Sequence, residues 1–393
     1  MKRTVKDIDL KGKRVLMRVD FNVPLDKSGR ITDDNRIRGA LETIKYILFS
    51  GGKLILMSHL GRPKGEKKLE YSLAPAAGRL SELLGKPVKM LKDCIGLEVS
   101  KDIAAMQPGE VVLLENLRFY KQEEKNDSEF AKSLASLGDI FVNDAFGTAH
   151  RAHASTEGVT HYLESVAGFL VQKEIEYFDQ VLKNPQRPLI FILGGAKVAD
   201  KIPVIENMLQ RADTILIGGA MAYTFMKVKG CEIGASRLEP ESIPIVEKIL
   251  AKAEAKAVEI VLPLDHIVTN NIEAASNVAV TTGQAIGQGF IGVDIGPKTI
   301  SLFCDKIAKA KTIVWNGPVG IFENDKFARG SKEIAKAIAD STATSVIGGG
   351  DTAAAVAKFS LSDKMSHIST GGGASLEYLE GKTLPGIAAL TDK

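Results

Sequence analysis

The feature that most restricts this chain is a recurring order of segments: a short unbroken apolar run, a glycine-rich or polar loop, then a longer stretch with apolar residues three or four apart. An apolar run without alternation suits a strand covered on both faces, and the helical spacing beside it supplies the cover, so the order predicts parallel α/β structure. Runs at 15–19, 54–57, 111–114 and 140–142 predict strands in the first half, and runs at 189–193, 214–217, 259–262, 312–314 and 345–347 in the second. Stripes such as Ile334, Ala337 and Ile338, or Ile245, Ile249 and Leu250, mark helix faces that belong to the core.

With 393 residues the chain exceeds the roughly 250 to 300 at which a single core stops growing, so two domains are expected. Helical composition over 168–182 runs into Asn184-Pro185-Gln186-Arg187-Pro188, where two prolines end a helix before the next strand, and the boundary is expected there. Lys and Arg number 51 against 48 Asp and Glu, a net charge of +3, too small to argue for a nucleic acid or an anionic membrane as partner. Hydrophobic residues at 45% and charged ones at 25% exclude disordered and collagen-like classes. Cys94, Cys231 and Cys304 lack metal-ligand spacing and fit a reducing cytoplasm; no function is assigned to them. No run approaches the roughly 18 apolar residues of a membrane span, and no signal-peptide region follows Met1, so a soluble, unexported chain is expected.

In open parallel sheets ligands bind at the carboxyl ends of the strands, so the residues just after each run are where chemistry belongs. First-half loops read Asp20-Phe21-Asn22-Val23-Pro24, Ser58-His59-Leu60-Gly61-Arg62, Glu115-Asn116-Leu117-Arg118 and Asn143 through Asp144, Ala145 and Phe146 to His150-Arg151. With Arg36, these loops supply arginines whose planar forks suit phosphate and carboxylate, implying a small dianionic acid as ligand. Any one arginine alone reads better as a solvated surface charge; Arg36, Arg62, Arg118 and Arg151 together reverse that preference. His59 and His150 taken singly read as polar loop residues, and Asp20 and Asn22 as turn formers.

Second-half loops are glycine-rich: Gly194-Gly195-Ala196-Lys197, Gly218-Gly219-Ala220, Asn316-Gly317-Pro318, Gly348-Gly349-Gly350-Asp351-Thr352 and Gly371-Gly372-Gly373. Missing side chains let backbone N–H groups approach phosphate oxygens, so a nucleotide-phosphate cradle is expected; any single pair alone reads better as a tight turn, and several ending successive strands do not. Lys197 and Lys201 flank the start of a helix and are expected to reach phosphate there. Asp351 suits Mg²⁺, which takes one or two carboxylates and leaves its other positions to water and phosphate; a helix N-cap is the competing reading. The run Gly287-Gln288-Gly289-Phe290-Ile291-Gly292 matches a dinucleotide fingerprint but lacks a preceding strand and a following helix, so a nicotinamide site is rejected.

Taken together, Arg18-Val19-Asp20-Phe21-Asn22-Val23-Pro24, Ser58 to Pro63, Glu115 to Phe119, Asp144 to Arg151, Gly194 to Val198, Val314 to Pro318 and Ser369 to Ser375 resemble phosphoglycerate kinase over essentially the whole chain, in order. The resemblance implies an α/β fold of two Rossmann-like three-layer α/β/α domains with parallel sheets, joined by a helix and hinge. The expected limits are 1–170, a linker at 171–188, 189–372, and a tail at 373–393 that packs back on the first domain. It implies a glycolytic transferase, cytoplasmic and monomeric, that moves a phosphoryl group between 1,3-bisphosphoglycerate and ADP with Mg²⁺. Asp20, Asn22, Arg36, His59, Arg62, Arg118 and Arg151 would bind 3-phosphoglycerate, with Phe21, Leu60 and Gly61 in the same loops. Lys197, Lys201, Gly292, Asn316, Glu323, Gly350, Asp351, Thr352 and Ala353 would bind the nucleotide, Glu323 towards the ribose and Asp351 towards the magnesium. Asn35 and Tyr120 depart from the family pattern without touching a ligand position.

Both acceptors, a carboxylate and a nucleotide phosphate, are already ionised, so no general base is needed; Arg36 and Lys197 are expected to clamp the moving group with the N–H groups of Gly371, Gly372 and Gly373. The competing functions are a nicotinamide oxidoreductase and a non-catalytic nucleotide sensor. Tight binding of 3-phosphoglycerate separates the sensor from the kinase.

Overall fold

β1 (Arg14–Val19) lies between β2 (Lys53–Met57) and β5 (Ile140–Asp144), parallel to both, with Val15 opposite Leu54 on one side and Ile140 on the other. Helices on both faces bury it from Val15 to Val19, as a run that is apolar except for Arg18 leads one to expect. Adding β3 (Lys89–Met90), β4 (Val111–Leu113) and β6 (Glu164–Ala167) gives a parallel six-stranded sheet in the order β3-β4-β2-β1-β5-β6. Helix Asn35–Phe49 covers it with Ile37, Ala40, Thr43, Ile44 and Ile47, one face by spacing, each buried isoleucine contributing about 1.5 to 3 kcal/mol. This computed structural model describes residues 1–393.

The second half continues with β7 (Leu189–Leu193), β8 (Thr214–Ile217) and β9 (Glu259–Val261). An unanticipated antiparallel sheet follows, in which β10 (His266–Thr269) sits between β11 (Ala279–Val280) and β12 (Ile291–Ile295). With β13 (Thr312–Asn316), β14 (Thr344–Gly348) and β15 (His367–Ile368) the chain completes a second parallel sheet, β15-β14-β13-β7-β8-β9. Its core joins Ile190, Ile192 and Trp315 to Phe303, Ile334 and Val356 from covering helices. Gly292 is the second residue of β12 and does not open a helix, in keeping with the rejection of the nicotinamide fingerprint.

In each sheet the strand order reverses beside the first strand: between β1 and β5 in one, between β7 and β13 in the other. Connections leave those two strands in opposite directions, so their carboxyl ends border a crevice.

The chain divides into one unit of Met1–Glu176 with Thr383–Lys393 and another of Tyr177–Lys382. That division falls within helix Phe169–Lys183, inside the expected 171–188 linker and ahead of the prolines, and Gly373–Leu379 belongs to the second unit. The reason is local bonding: Asn207 Nδ2 donates to Leu379 O at 2.6 Å and the Tyr378 hydroxyl to Asp179 Oδ1 at 2.9 Å. Within the first unit the tail is stitched down by Gly386 N–H to Ala149 O, Asn143 Nδ2 to Gly386 O and Thr391 N–H to Ser165 O, each at 2.9 Å.

Candidate functional site

At the carboxyl ends of β1, β2 and β4 the first-half loops are tied to one another. Arg36 Nη1 donates to Asp20 Oδ2 at 2.6 Å, and Gly61 N–H donates to Asn22 Oδ1 at 2.9 Å. Arg118 Nη1 donates to Gly61 O at 2.8 Å, Asn116 Nδ2 to Leu60 O at 2.7 Å, and Phe21 N–H to Ser58 Oγ at 2.8 Å. Asp20, Phe21, Asn22, Arg36, His59, Leu60, Gly61 and Arg118 thus form one cluster, while Arg62 and Arg151 stand exposed on its loops. Arg151 Nε donates to His150 Nε2 at 3.1 Å.

The cluster's charge is poorly balanced. Arg118 is 6% exposed, yet its Nε makes no hydrogen bond; Glu124 Oε1 lies 3.2 Å away as an ion-pair partner, outside hydrogen-bond geometry. A buried guanidinium N–H without an acceptor is costly and suits an incoming anion. His59 is buried, and burial first, then the guanidinium groups of Arg18, Arg118 and Arg36, hold its imidazole well below the usual range. It is therefore a neutral member of a cluster whose cationic groups are the arginines.

Behind the cluster lies a network absent from the sequence reading. Arg18, fully buried on β1, donates through Nε to Ser155 Oγ at 2.8 Å, and Ser155 Oγ donates to Glu123 Oε1 at 2.5 Å. A charged residue inside an otherwise apolar strand run is the one signal that pointed to it. Asp144, at the end of β5, accepts from the N–H groups of Leu170 at 2.9 Å and Val171 at 3.3 Å, capping helix Phe169–Lys183; burial pushes its carboxyl up to about 7.

In the second unit the glycine loops after β7, β8 and β13 clasp each other. Gly194 N–H donates to Asn316 O and Gly195 N–H to Pro318 O, both at 3.0 Å, while Gly219 N–H donates to Val319 O at 3.0 Å. A Cβ on Gly194 would lie 2.6 Å from Gly317 O, so glycine is needed for that approach. These amides are engaged by protein carbonyls, and the donors available to an anion are instead the first-turn N–H groups of helix Gly350–Lys358, which helix geometry leaves without intrahelical acceptors.

Around that turn Lys201 Nζ donates to Asn316 Oδ1, Asn316 Nδ2 to Gly348 O at 2.9 Å, and Gly317 N–H to Thr352 Oγ1 at 2.7 Å. Burial lowers the Lys201 ammonium, against the attraction of Asp200 and Asp351. Lys197, Glu323, Gly350 and Asp351 are exposed, Ala353 half-buried, and Gly292 is buried on β12 with its N–H donating to Ser236 Oγ at 2.9 Å. Gly371 N–H donates to Ser369 Oγ at 3.1 Å, ahead of the half-buried Gly372 and exposed Gly373. Glu239, which the sequence reading passed over, accepts from Val198 and Ala199 N–H and so holds the Lys197 loop.

No group of three or more His, Cys, Asp or Glu is arranged to hold a metal ion. One exposed carboxylate, Asp351, fits a Mg²⁺ that arrives with nucleotide phosphates and not a resident ion caged by protein. No helix is long and apolar enough to cross a membrane.

Parallel sheets bearing an arginine cluster in one unit and a glycine-led helix turn in the other are the equipment of an α/β phosphotransferase. The family model for phosphoglycerate kinase matches residues 5–382. The chain is 57% identical over 395 residues to the phosphoglycerate kinase of Chloroherpeton thalassium, covering 100% of this chain and 99% of that one, and 56% identical to that of Clostridium tetani, covering 100% and 98%. Among solved structures it is similar to phosphoglycerate kinase from Coxiella burnetii (TM-score 0.91, 42% identity) and from Pyrococcus horikoshii OT3 (TM-score 0.86, 36% identity), each alignment covering 99% of this chain and 98% of the other. The chain belongs to the phosphoglycerate kinase family of glycolytic kinases.

Proposed function

We propose that the protein transfers the acyl phosphate of 1,3-bisphosphoglycerate to MgADP, reversibly, giving 3-phosphoglycerate and MgATP. The observation that carries this reading is the gathering of Arg36 and the buried Arg118 with Asp20, Asn22 and His59 in one cluster, with Arg62 and Arg151 exposed on its loops. Asp20, Asn22, Arg36, His59, Arg62, Arg118 and Arg151 bind the phosphoglycerate. Lys201, Gly292, Asn316, Glu323 and the turn from Gly350 to Ala353 bind the nucleotide. Mg²⁺ carried by the nucleotide neutralises phosphate charge and is met by Asp351.

The transferring group spreads charge over its equatorial oxygens, so the protein's task is to position and to neutralise. Arg36 and Lys197 do this, with N–H groups of Gly371, Gly372 and Gly373. The P–O bond to the acyl oxygen breaks as a bond to the ADP β-phosphate oxygen forms; the departing carboxylate needs no proton. Since the two sets of groups belong to different units, closure about the connecting helix brings them together and shields the acyl phosphate from water. The enzyme acts as a cytoplasmic monomer, a reading that rests on the family to which the chain belongs.

ATP formation from ADP, Mg²⁺ and 1,3-bisphosphoglycerate tests the reaction: turnover supports it, and an inactive protein that still binds ADP turns the reading to a nucleotide sensor. Solution scattering with and without both substrates tests closure, which an unchanged radius of gyration counts against.

A further inference from the structure

Arg18 and His59 meet inside the first unit. Arg18 Nη2 lies 3.2 Å from His59 Nδ1, while Nη1 donates to Val19 O at 2.5 Å and Nε to Ser155 Oγ at 2.8 Å. Ser155 in turn presents both its groups to Glu123, Oγ donating to Oε1 at 2.5 Å and N–H to Oε2 at 3.0 Å. Arg18 and Glu123 are both fully buried, so the guanidinium is held in one orientation from three sides.

A guanidinium has five donors, no acceptor, and keeps its proton in proteins. The nitrogen facing Arg18 Nη2 must therefore accept, which leaves Nδ1 with its lone pair and puts the ring proton on Nε2. A second proton, on Nδ1, would set N–H against N–H. We propose that Arg18 is a positioning residue that locks His59 as the neutral Nε2–H tautomer, making His59 a hydrogen-bond donor to the phosphoglycerate and not a cation. The donor half of this rests on the substrate reading above; the tautomer does not.

The groups facing the ring agree with this. Arg18, Arg36, Arg118 and His153 all disfavour an imidazolium, and the nearest carboxylate, Asp20, has Oδ1 4.0 Å from Nδ1, beyond hydrogen-bond reach. Glu123 answers Arg18 and stands 4.0 Å from His153 Nδ1. A neutral donor also adds no repulsion to neighbouring arginines.

Long-range ¹H–¹⁵N correlation spectra of the full-length protein, with His59→Gln assigning the signal, test the lock from pH 5 to 8. We expect an unprotonated Nδ1 and a protonated Nε2 throughout; a protonated Nδ1, or a midpoint inside that range, overturns it. Arg18→Met strands the Glu123 carboxylate, so the double variant R18M/E123Q, which removes both charges, is made alongside to retain the fold. In it the neutral ring should populate both tautomers, so that protonated Nδ1 appears beside protonated Nε2, and the ratio of its phosphoglycerate KM to that of the parent should exceed one at pH 8. Taking the ratio cancels the substrate's own phosphate ionisation. A His59 still locked in the double variant removes Arg18 from the role. Saturation with 3-phosphoglycerate separates the two claims: a parent Nε2 signal that does not move overturns the donor role while the tautomer stands on the first measurement.

Discussion

The carboxylate of Glu239 accepts the backbone N–H of Val198 at 3.0 Å, and its other oxygen that of Ala199 at 3.2 Å, anchoring the loop that carries Lys197. Both oxygens are inside the protein, Glu239 being 6% exposed. Glu239→Ala leaves two amides without acceptors, so we expect a loss of about 1 to 3 kcal/mol in urea unfolding. Displacing Lys197 should lower turnover by roughly 10- to 100-fold. Normal turnover in that variant means the loop is held by something else.

Arg36 and Lys197 are expected to separate catalysis from stability. Lys197 is exposed, and Arg36, 38% exposed, makes a partly solvated pair with Asp20, so neither is a strong contributor to folding. Arg36→Ala and Lys197→Ala should each lower kcat by roughly 100- to 1000-fold while the unfolding midpoint stays close to the parent's. Turnover within tenfold of the parent in either variant removes that residue from the clamp.

Asp144 links pH to stability. Its carboxyl is pushed from 3.8 up to about 7 in the folded protein, so between those values the folded state holds more of the proton than the unfolded chain. Stability from this group is then fully present below 3.8 and lost as pH rises to about 7. Asp144→Asn keeps an oxygen for the Leu170 and Val171 N–H groups and removes the titration. Relative to the parent it should gain with rising pH, by at most about 1.4 kcal/mol per pH unit, and level off above neutrality. A gap that does not change between pH 4 and 8, in paired urea titrations, contradicts this.

Gly194→Ala should disturb the second crevice. The added methyl would meet the backbone of Gly317 and Pro318, at 2.6 Å from Gly317 O, and backbone cannot step aside as a flexible side chain does. We expect a cost of about 1 to 3 kcal/mol and a raised KM for ADP with a smaller change in KM for phosphoglycerate. Equal changes in both constants point to general loosening instead.

The strands most legible from residues alone were those with largely apolar runs, such as β1, β7 and β13, because a strand covered on both faces is apolar at most positions. β3, β11 and β15 are two residues long and carry no such run, so they went unseen, as did β6, which opens with the exposed Glu164. Strand order was also hidden: β4 inserts between β2 and β3, and pairing is chosen by helix packing and crossover direction rather than by a strand's own residues.

For the candidate site, the sequence by itself determined the inventory and its division: arginine-bearing loops after the first-half strands, glycine loops after the second-half ones, since residue type at a strand end depends on local chain chemistry. Only the tertiary structure decided what each group does. It engaged the Gly194 and Gly195 amides with carbonyls over a hundred residues away, left Arg118 Nε without an acceptor, and set Arg18, bonded to Ser155 137 residues along the chain, against His59. The physical reason is that hydrogen bonding and desolvation depend on neighbours in space, and a buried charge takes its protonation partners from whatever the fold packs beside it.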